Sequence, residues 1–208
     1  MTYSEFQKFC RENQILLFTI NDLKILFKTY SESYLRLKLY RWKQKGYIIN
    51  LKKGLYQLLD GIIDEFEVAS RLIIPSYISL ESALSHYSII PDVSSNVSSV
   101  TTKNTRHFRI QTISKPKKAA IQYDYYHIKT GLFMDYHNLR DTIFIASPEK
   151  SIIDFFYFRK PSKDHQFFER LNPEILKNID MRKVKKMAEK YPNYVQQLTA
   201  YLSHVITH

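Results

Sequence analysis

The chain has 208 residues, with 31 Lys and Arg against 20 Asp and Glu, giving a formal charge of +11; 44% of it is hydrophobic and 14% aromatic. That apolar content can fill a core and excludes a disordered chain, while the charge points to an anionic partner and says nothing of fold. Four glycines leave little support for collagen-like or phosphate-loop readings, the lone Cys10 excludes an internal disulfide and a thiolate metal cage, and apolar runs such as Ile15–Phe18 fall far short of the ~18 residues of a membrane helix. Met1–Glu5 lacks the charged and apolar regions of a secretory signal, so a soluble, cytoplasmic protein is expected.

In chain order, Ser4–Asn13 places Phe6, Phe9 and Cys10 on one helical face. Thr19 caps a short helix from Asn21, with Leu23, Leu26 and Phe27 at helical spacing. Ser31-Glu32-Ser33 caps a third helix, Tyr34–Lys45, that stops at Gly46. Leu35, Leu39 and Trp42 form its buried stripe; Tyr34, Lys38, Arg41 and Lys45 form a stripe beside it, with Arg36 and Lys43 on the other flank. Tyr47–Leu51, the turn Lys52-Lys53-Gly54 and Leu55–Leu59 read as a hairpin with a basic tip. Between Tyr34 and Lys53 stand seven basic residues and no Asp or Glu, as expected where phosphates are bound.

Three short helices and a hairpin follow the order of a winged helix-turn-helix, with the third helix in the major groove and the wing on neighbouring phosphates. The expected DNA-binding set is Ser33, Tyr34, Arg36, Lys38, Arg41, Lys45, Lys52 and Lys53. Within it Arg36, Lys38 or Arg41 reach base edges and Lys52 and Lys53 neutralise phosphates.

The expected fold class is α+β: a winged helix-turn-helix over residues 1–62, then a mixed α/β domain over 63–208 whose part after about residue 161 is helical. Asp64 and Glu67 have the spacing of a capping box, and the helix they open runs to Pro75. Ser79 caps a helix carrying Leu80, Ala83, Leu84 and Tyr87 on one face. The Ser-rich 94–99 reads as a loop before strand-like Val100–Thr102, Phe108–Ile113, Ala120–Ile128 and Thr142–Ala146, with a basic turn at Lys115-Pro116-Lys117-Lys118. Ser147-Pro148-Glu149 starts a helix in which Lys150 and Asp154 pair at i, i+4. Asn172-Pro173 and Asp180 open the closing helices, where Arg182, Lys183, Lys185, Lys186 and Lys190 form a basic face.

Four stretches carry a family resemblance: Phe18-Thr19 through Lys45-Gly46-Tyr47-Ile48 to Lys53-Gly54-Leu55-Tyr56; Pro75-Ser76-Tyr77-Ile78-Ser79-Leu80-Glu81-Ser82-Ala83-Leu84; Val100-Thr101-Thr102-Lys103; and Ile145-Ala146-Ser147-Pro148-Glu149-Lys150-Ser151-Ile152-Ile153-Asp154. Over roughly residues 15–160 the chain resembles the AbiE-type abortive-infection antitoxins (AbiEi), regulators of phage-defence toxin–antitoxin operons. The resemblance implies a type IV antitoxin whose winged helix binds inverted repeats in its own promoter and represses it. Its C-terminal domain would counter a nucleotidyltransferase-like toxin without needing a stable complex. The alternative is an interaction module that neutralises the toxin by direct binding, motivated by Tyr123, Tyr125, Tyr126 and Phe133.

No catalytic residues, metal or cofactor are expected. Pro91-Asp92 could open a PD…(D/E)xK nuclease pattern, but Thr101-Thr102-Lys103 lacks the carboxylate at Thr101. Glu81, Asp92, Glu149 and Lys150 could converge only through the fold. His86, His107, His127, His137 and His165 have no metal-ligand spacing, His204 and His208 stand at i, i+4 but at a terminus expected to fray, and Cys10 sits on an apolar face.

Overall fold

The computed structural model describes residues 1–59, 63–91, 95–111, 120–140, 142–161 and 166–207. Asp92, the basic turn at 115–118, His165 and His208 lie outside them. The architecture is α+β, in two compact units: Met1–Leu72 with Ile110–Ala120, and Ile73–Arg109 with Ile121–His208.

The first unit runs α1 (Tyr3–Glu12), β1 (Leu17–Thr19), α2 (Ile20–Leu26), α3 (Glu32–Gln44), β2 (Ile48–Lys52), β3 (Leu55–Leu58) and α4 (Glu65–Leu72). Each helix starts where a side chain satisfies orphan backbone N–H groups. Thr2 with Glu5 and Thr19 with Asp22 make reciprocal capping boxes on α1 and α2, and the Ser31 hydroxyl accepts from Tyr34 N on α3. At the far end of α3, Tyr47 N donates to Trp42 O and Gly46 N to Lys43 O, with Gly46 at φ +70°. That is the Schellman arrangement, which needs a left-handed residue where glycine stands.

β1 is too short for alternation to reveal it. It exists because it pairs antiparallel with β3, Phe18 opposite Tyr56, giving a sheet of order β1-β3-β2. Phe6, Cys10, Phe18, Leu23, Leu35, Leu39, Trp42, Ile48 and Leu58 fill the core, with Phe6 stacked on Trp42 at 4.7 Å. Leu26 departs from its expected apolar face: it ends a helix of two turns that buries only Leu23, and it is 40% exposed. Asp64 accepts from Phe66 N at the start of α4, which belongs with this unit although the sequence places it after residue 62.

The second unit contains β4 (Ser76–Ile78), α5 (Leu80–His86), β5 (Asn96–Thr101), β6 (Arg106–Gln111) up to Arg109, β7 (Ala120–His127) from Ile121, a 3-10 turn at Thr130–Leu132, β8 (Tyr136–Arg140), β9 (Ile143–Ala146), α6 (Pro148–Arg159), α7 (Gln166–Glu169), α8 (Pro173–Leu176), α9 (Met181–Ala188) and α10 (Asn193–Thr207). Its sheet has the order β6-β7-β5-β4-β9-β8. The β4–β5 and β8–β9 pairs are antiparallel, and β4–β9 and β5–β7 are parallel.

The Ser-rich segment expected as a loop is, from Asn96, the interior strand β5. Val97 and Val100 are buried, and so are Ser98 and Ser99, small enough to lie under covered sheet faces. α6 begins at the expected Ser147-Pro148 and is buried continuously from Glu149 to Phe156. α5, α9 and α10 pack against it, so it has no wet face along those residues.

Candidate functional site

At 3.6 residues per turn, the buried Leu35, Leu39 and Trp42 fix which way α3 faces. The line opposite them is Ser33, Leu37, Tyr40 and Gln44, all exposed, with Arg36 and Lys43 on one side and Arg41 on the other. Tyr34, Lys38 and Lys45 fall further round. Tyr34 is half-buried, stacks on Tyr30 at 4.8 Å and accepts from the Met1 amino group, while the Lys38 ammonium lies 5.2 Å from its ring centre. The expected stripe Tyr34–Lys38–Arg41–Lys45 is therefore a flank of the helix and not its outward centre. Leu37, Tyr40 and Gln44 were missed because charge, not phase relative to the buried stripe, selected the candidates.

The cations are unequal. Arg36 donates twice to Glu32, at 2.9 and 2.6 Å, and Lys24 of α2 reaches the same carboxylate at 2.6 Å. Those partners, Lys24 first, hold the Glu32 carboxyl below the usual range. Lys52 is not a loose tip lysine: its ammonium donates to the Leu72 carbonyl at the end of α4. The bond uses one of the ammonium's three donors, so it anchors the side chain without removing Lys52 from the expected phosphate-contacting set. Arg41, Lys43, Lys45 and Lys53 are exposed and have no acidic partner among the described residues.

In the second unit the expected Lys150–Asp154 pair forms, with both side chains at 0% exposure. Asp154 also accepts from Tyr77 Oη at 3.0 Å and Ser79 Oγ at 2.8 Å, and Lys150 donates to Tyr191 Oη at 2.8 Å. Ser79 stands at the cap position of α5 but makes no cap bond, because its hydroxyl serves Asp154. Burial pushes the Lys150 ammonium below its ordinary value despite Asp154, and pushes the Tyr77 and Tyr191 hydroxyls well above theirs. Beside this network Lys183 bridges Asp135 at 3.0 Å and Glu149 at 3.2 Å; burial lowers it, but these two carboxylates together raise it.

Of the carboxylates weighed for catalysis, the two described ones are engaged in ion pairs. Glu81 is clasped by Arg159 at 2.6 and 3.0 Å, Glu149 faces Lys183, and buried Thr101 donates to Pro75 O. His107 Nδ1 lies 2.7 Å from the buried Asp124 carboxylate, which Gln122 also reaches at 2.9 Å. Among the described residues no three His, Cys, Asp or Glu side chains are grouped to hold a metal ion. Cys10 is core, as expected. Tyr123 and Tyr125, offered as an interface, are fully buried and cannot be one, while Tyr126 and Phe133 are only partly buried. No helix among the described residues is long and apolar enough to cross a membrane.

No protein-family model matches the chain, and no curated protein matches it. The fold is similar to the crystal structure of the Rv2827c protein from Mycobacterium tuberculosis, with a TM-score of 0.61 over 98% of this chain and 75% of that one. At 9% identity the likeness extends to the fold alone.

Proposed function

We propose that the chain is a DNA-binding antitoxin of the AbiE type, whose first unit is a winged helix-turn-helix that recognises its own operator and represses its promoter. The observation that carries this reading is α3 itself, whose flanks bear Arg41, Lys43 and Lys45, exposed and without acidic partners among the described residues, while Lys53 tips the following hairpin. The order α1-β1-α2-α3-β2-β3 suits it: α2 positions α3, α3 enters the major groove, and the hairpin meets the flanking phosphates. Antagonism of a nucleotidyltransferase-like toxin rests on the family resemblance. Two of its stretches meet at Asp154: Tyr77 and Ser79 come from one, Lys150 and Asp154 from the other. Those residues are buried, so they favour a common fold more than a shared contact surface.

Direct toxin binding is a second reading, favoured by Tyr136 and Phe144. They are exposed at 37% and 38%, in edge contact at 5.8 Å, on β8 and β9 at one end of the sheet. The test of the first reading is the affinity of the whole protein for duplex from upstream of its own gene, against a scrambled duplex, over a salt series. A specific site should bind at least about 10³-fold tighter than scrambled sequence, and Lys53→Ala should lower the salt slope by about 0.9. Equal affinity for both duplexes refutes operator recognition. A stoichiometric complex on co-purification with the neighbouring gene product favours the second reading.

A further inference from the structure

We infer that the reading line of α3 is built for A·T base pairs, with Leu37 and Tyr40 taking thymine methyl groups and Gln44 taking adenine. This rests on the DNA-binding reading above and specifies what that surface recognises. Leu37 is 46% exposed and Tyr40 62% exposed among the described residues. With Ser33 and Gln44 they occupy the line directly opposite the buried Leu35, Leu39 and Trp42, the part of the helix that enters deepest when the helix is laid in a groove.

The occupant follows from the surroundings. Arg41, Lys43, Lys45 and Lys53 around this line lack acidic partners among the described residues, so a polyanion is the complementary cover. The apolar groups that a duplex presents in its major groove are the thymine C5-methyls, and a glutamine pairs with adenine N6 and N7. Guanine is read chiefly by arginine or lysine. Arg36, the arginine nearest the line on one side, is held by Glu32, while Arg41 borders the line on the other, exposed and without an acidic partner among the described residues, so a guanine contact would fall to Arg41 at the edge. The line itself, Ser33, Leu37, Tyr40 and Gln44, carries no arginine or lysine.

The experiment selects duplexes from a randomised pool with the full chain, then replaces each thymine of the enriched site by deoxyuridine, which removes only the methyl. At one or two positions the replacement should weaken wild-type binding about fourfold per methyl, the equivalent of about 0.8 kcal/mol for one buried carbon. Leu37→Ala or Tyr40→Ala should lose sensitivity at its own position while keeping the wild-type salt slope; both residues are exposed, so the fold is not at risk. Gln44→Ala should lose its preference for adenine over 7-deazaadenine at one position. An enriched site whose thymines are all indifferent to the replacement overturns the inference and leaves DNA binding standing. Failure to enrich any sequence overturns the operator reading itself. A dimer that Leu37→Ala converts to monomer, with uridine-indifferent binding, assigns the stripe to contact between copies and overturns the inference too.

Discussion

Asp154→Ala removes the acceptor shared by Lys150, Tyr77 and Ser79 at a position with no solvent to replace it. A buried ammonium without its counter-ion can escape by losing its proton. From the ordinary value of 10.5, shedding that proton at pH 7 spans 3.5 pH units at about 1.36 kcal/mol each, or about 5 kcal/mol. That is the ceiling on the charge part, and it agrees with the roughly 3–5 kcal/mol for breaking a buried pair. Two stranded hydroxyls add about 1 kcal/mol each, so the loss is about 5–7 kcal/mol against a typical total of roughly 5–15 kcal/mol. The same argument fixes a pH signature. In the variant Lys150 is neutral when folded and protonated when unfolded, so the unfolded chain holds one more proton and stability rises with pH. The deficit relative to wild type should shrink by about 1.4 kcal/mol per pH unit between pH 7 and 9. Urea titrations followed by far-UV circular dichroism at pH 7, 8 and 9 measure it. Lys150→Met with Asp154→Leu should be less destabilised than Asp154→Ala, since no charge is left unpaired. A deficit below about 1 kcal/mol, or one independent of pH, would refute the account of the network.

Gly46→Ala should destabilise the first unit by about 1–2 kcal/mol, read by the fluorescence of Trp42 in urea. A Cβ at Gly46 meets nothing within 4 Å, so the loss is purely backbone and Gly46→Asn should recover part of it. Lys52→Met should cost about 1–2 kcal/mol in stability by stranding the Leu72 carbonyl, whereas Lys53→Met should leave stability unchanged and reduce only the salt slope of DNA binding. Glu32→Gln frees Lys24 and Arg36 and removes a negative charge from the flank of α3, so DNA affinity should rise, most at low salt; an unchanged or weaker affinity contradicts α3 as the DNA-facing helix. Tyr77, Tyr125 and Tyr191 hold raised values through burial, so their contribution is complete below pH 10 and declines as pH climbs above it. Lys150 acts in the opposite sense, one group against three. Absorbance at 295 nm should show these phenols ionising only together with unfolding.

The sequence made several helix starts legible through a capping side chain, Thr19, Ser31, Ser147 and Asp180 all capping, but Thr2 on α1 was passed over and Ser79, expected to cap α5, does not. Gly46 was equally plain, because a left-handed stop leaves few alternatives. What stayed hidden depends on distant partners. β1 and β4 are three residues each, defined by β3 and by β5 and β9 respectively. β5 was obscured by serines, whose composition suggests a loop until neighbouring strands bury them. The ladder of acceptors on Asp154 joins residues more than seventy positions apart, and only the i, i+4 pair within it was visible locally. On α3 the sequence showed both the charges and the buried stripe Leu35, Leu39 and Trp42, so the outward line of Leu37, Tyr40 and Gln44 was legible by phase and was passed over because the candidates were chosen by charge. The anchoring of Lys52, by contrast, was hidden by distance, since its partner Leu72 is twenty residues away.

The continuous burial of α6 bears on how this protein can be dissected. The hydroxyl oxygen of Tyr191, which lies just beyond α9, accepts from Lys150 as its second acceptor, and α9 and α10 cover the helix that carries Lys150. Shortening the chain near residue 160 would bare Phe155 and Phe156 to water and strip that acceptor from an ammonium at the heart of the unit. The closing helices are thus scaffolding for what precedes them, and a deletion there would report collapse of the whole unit regardless of any contact those helices make. Their own contribution is better sought by recharging outward-facing side chains such as Arg182, Lys185 and Lys186, which leaves the interior intact.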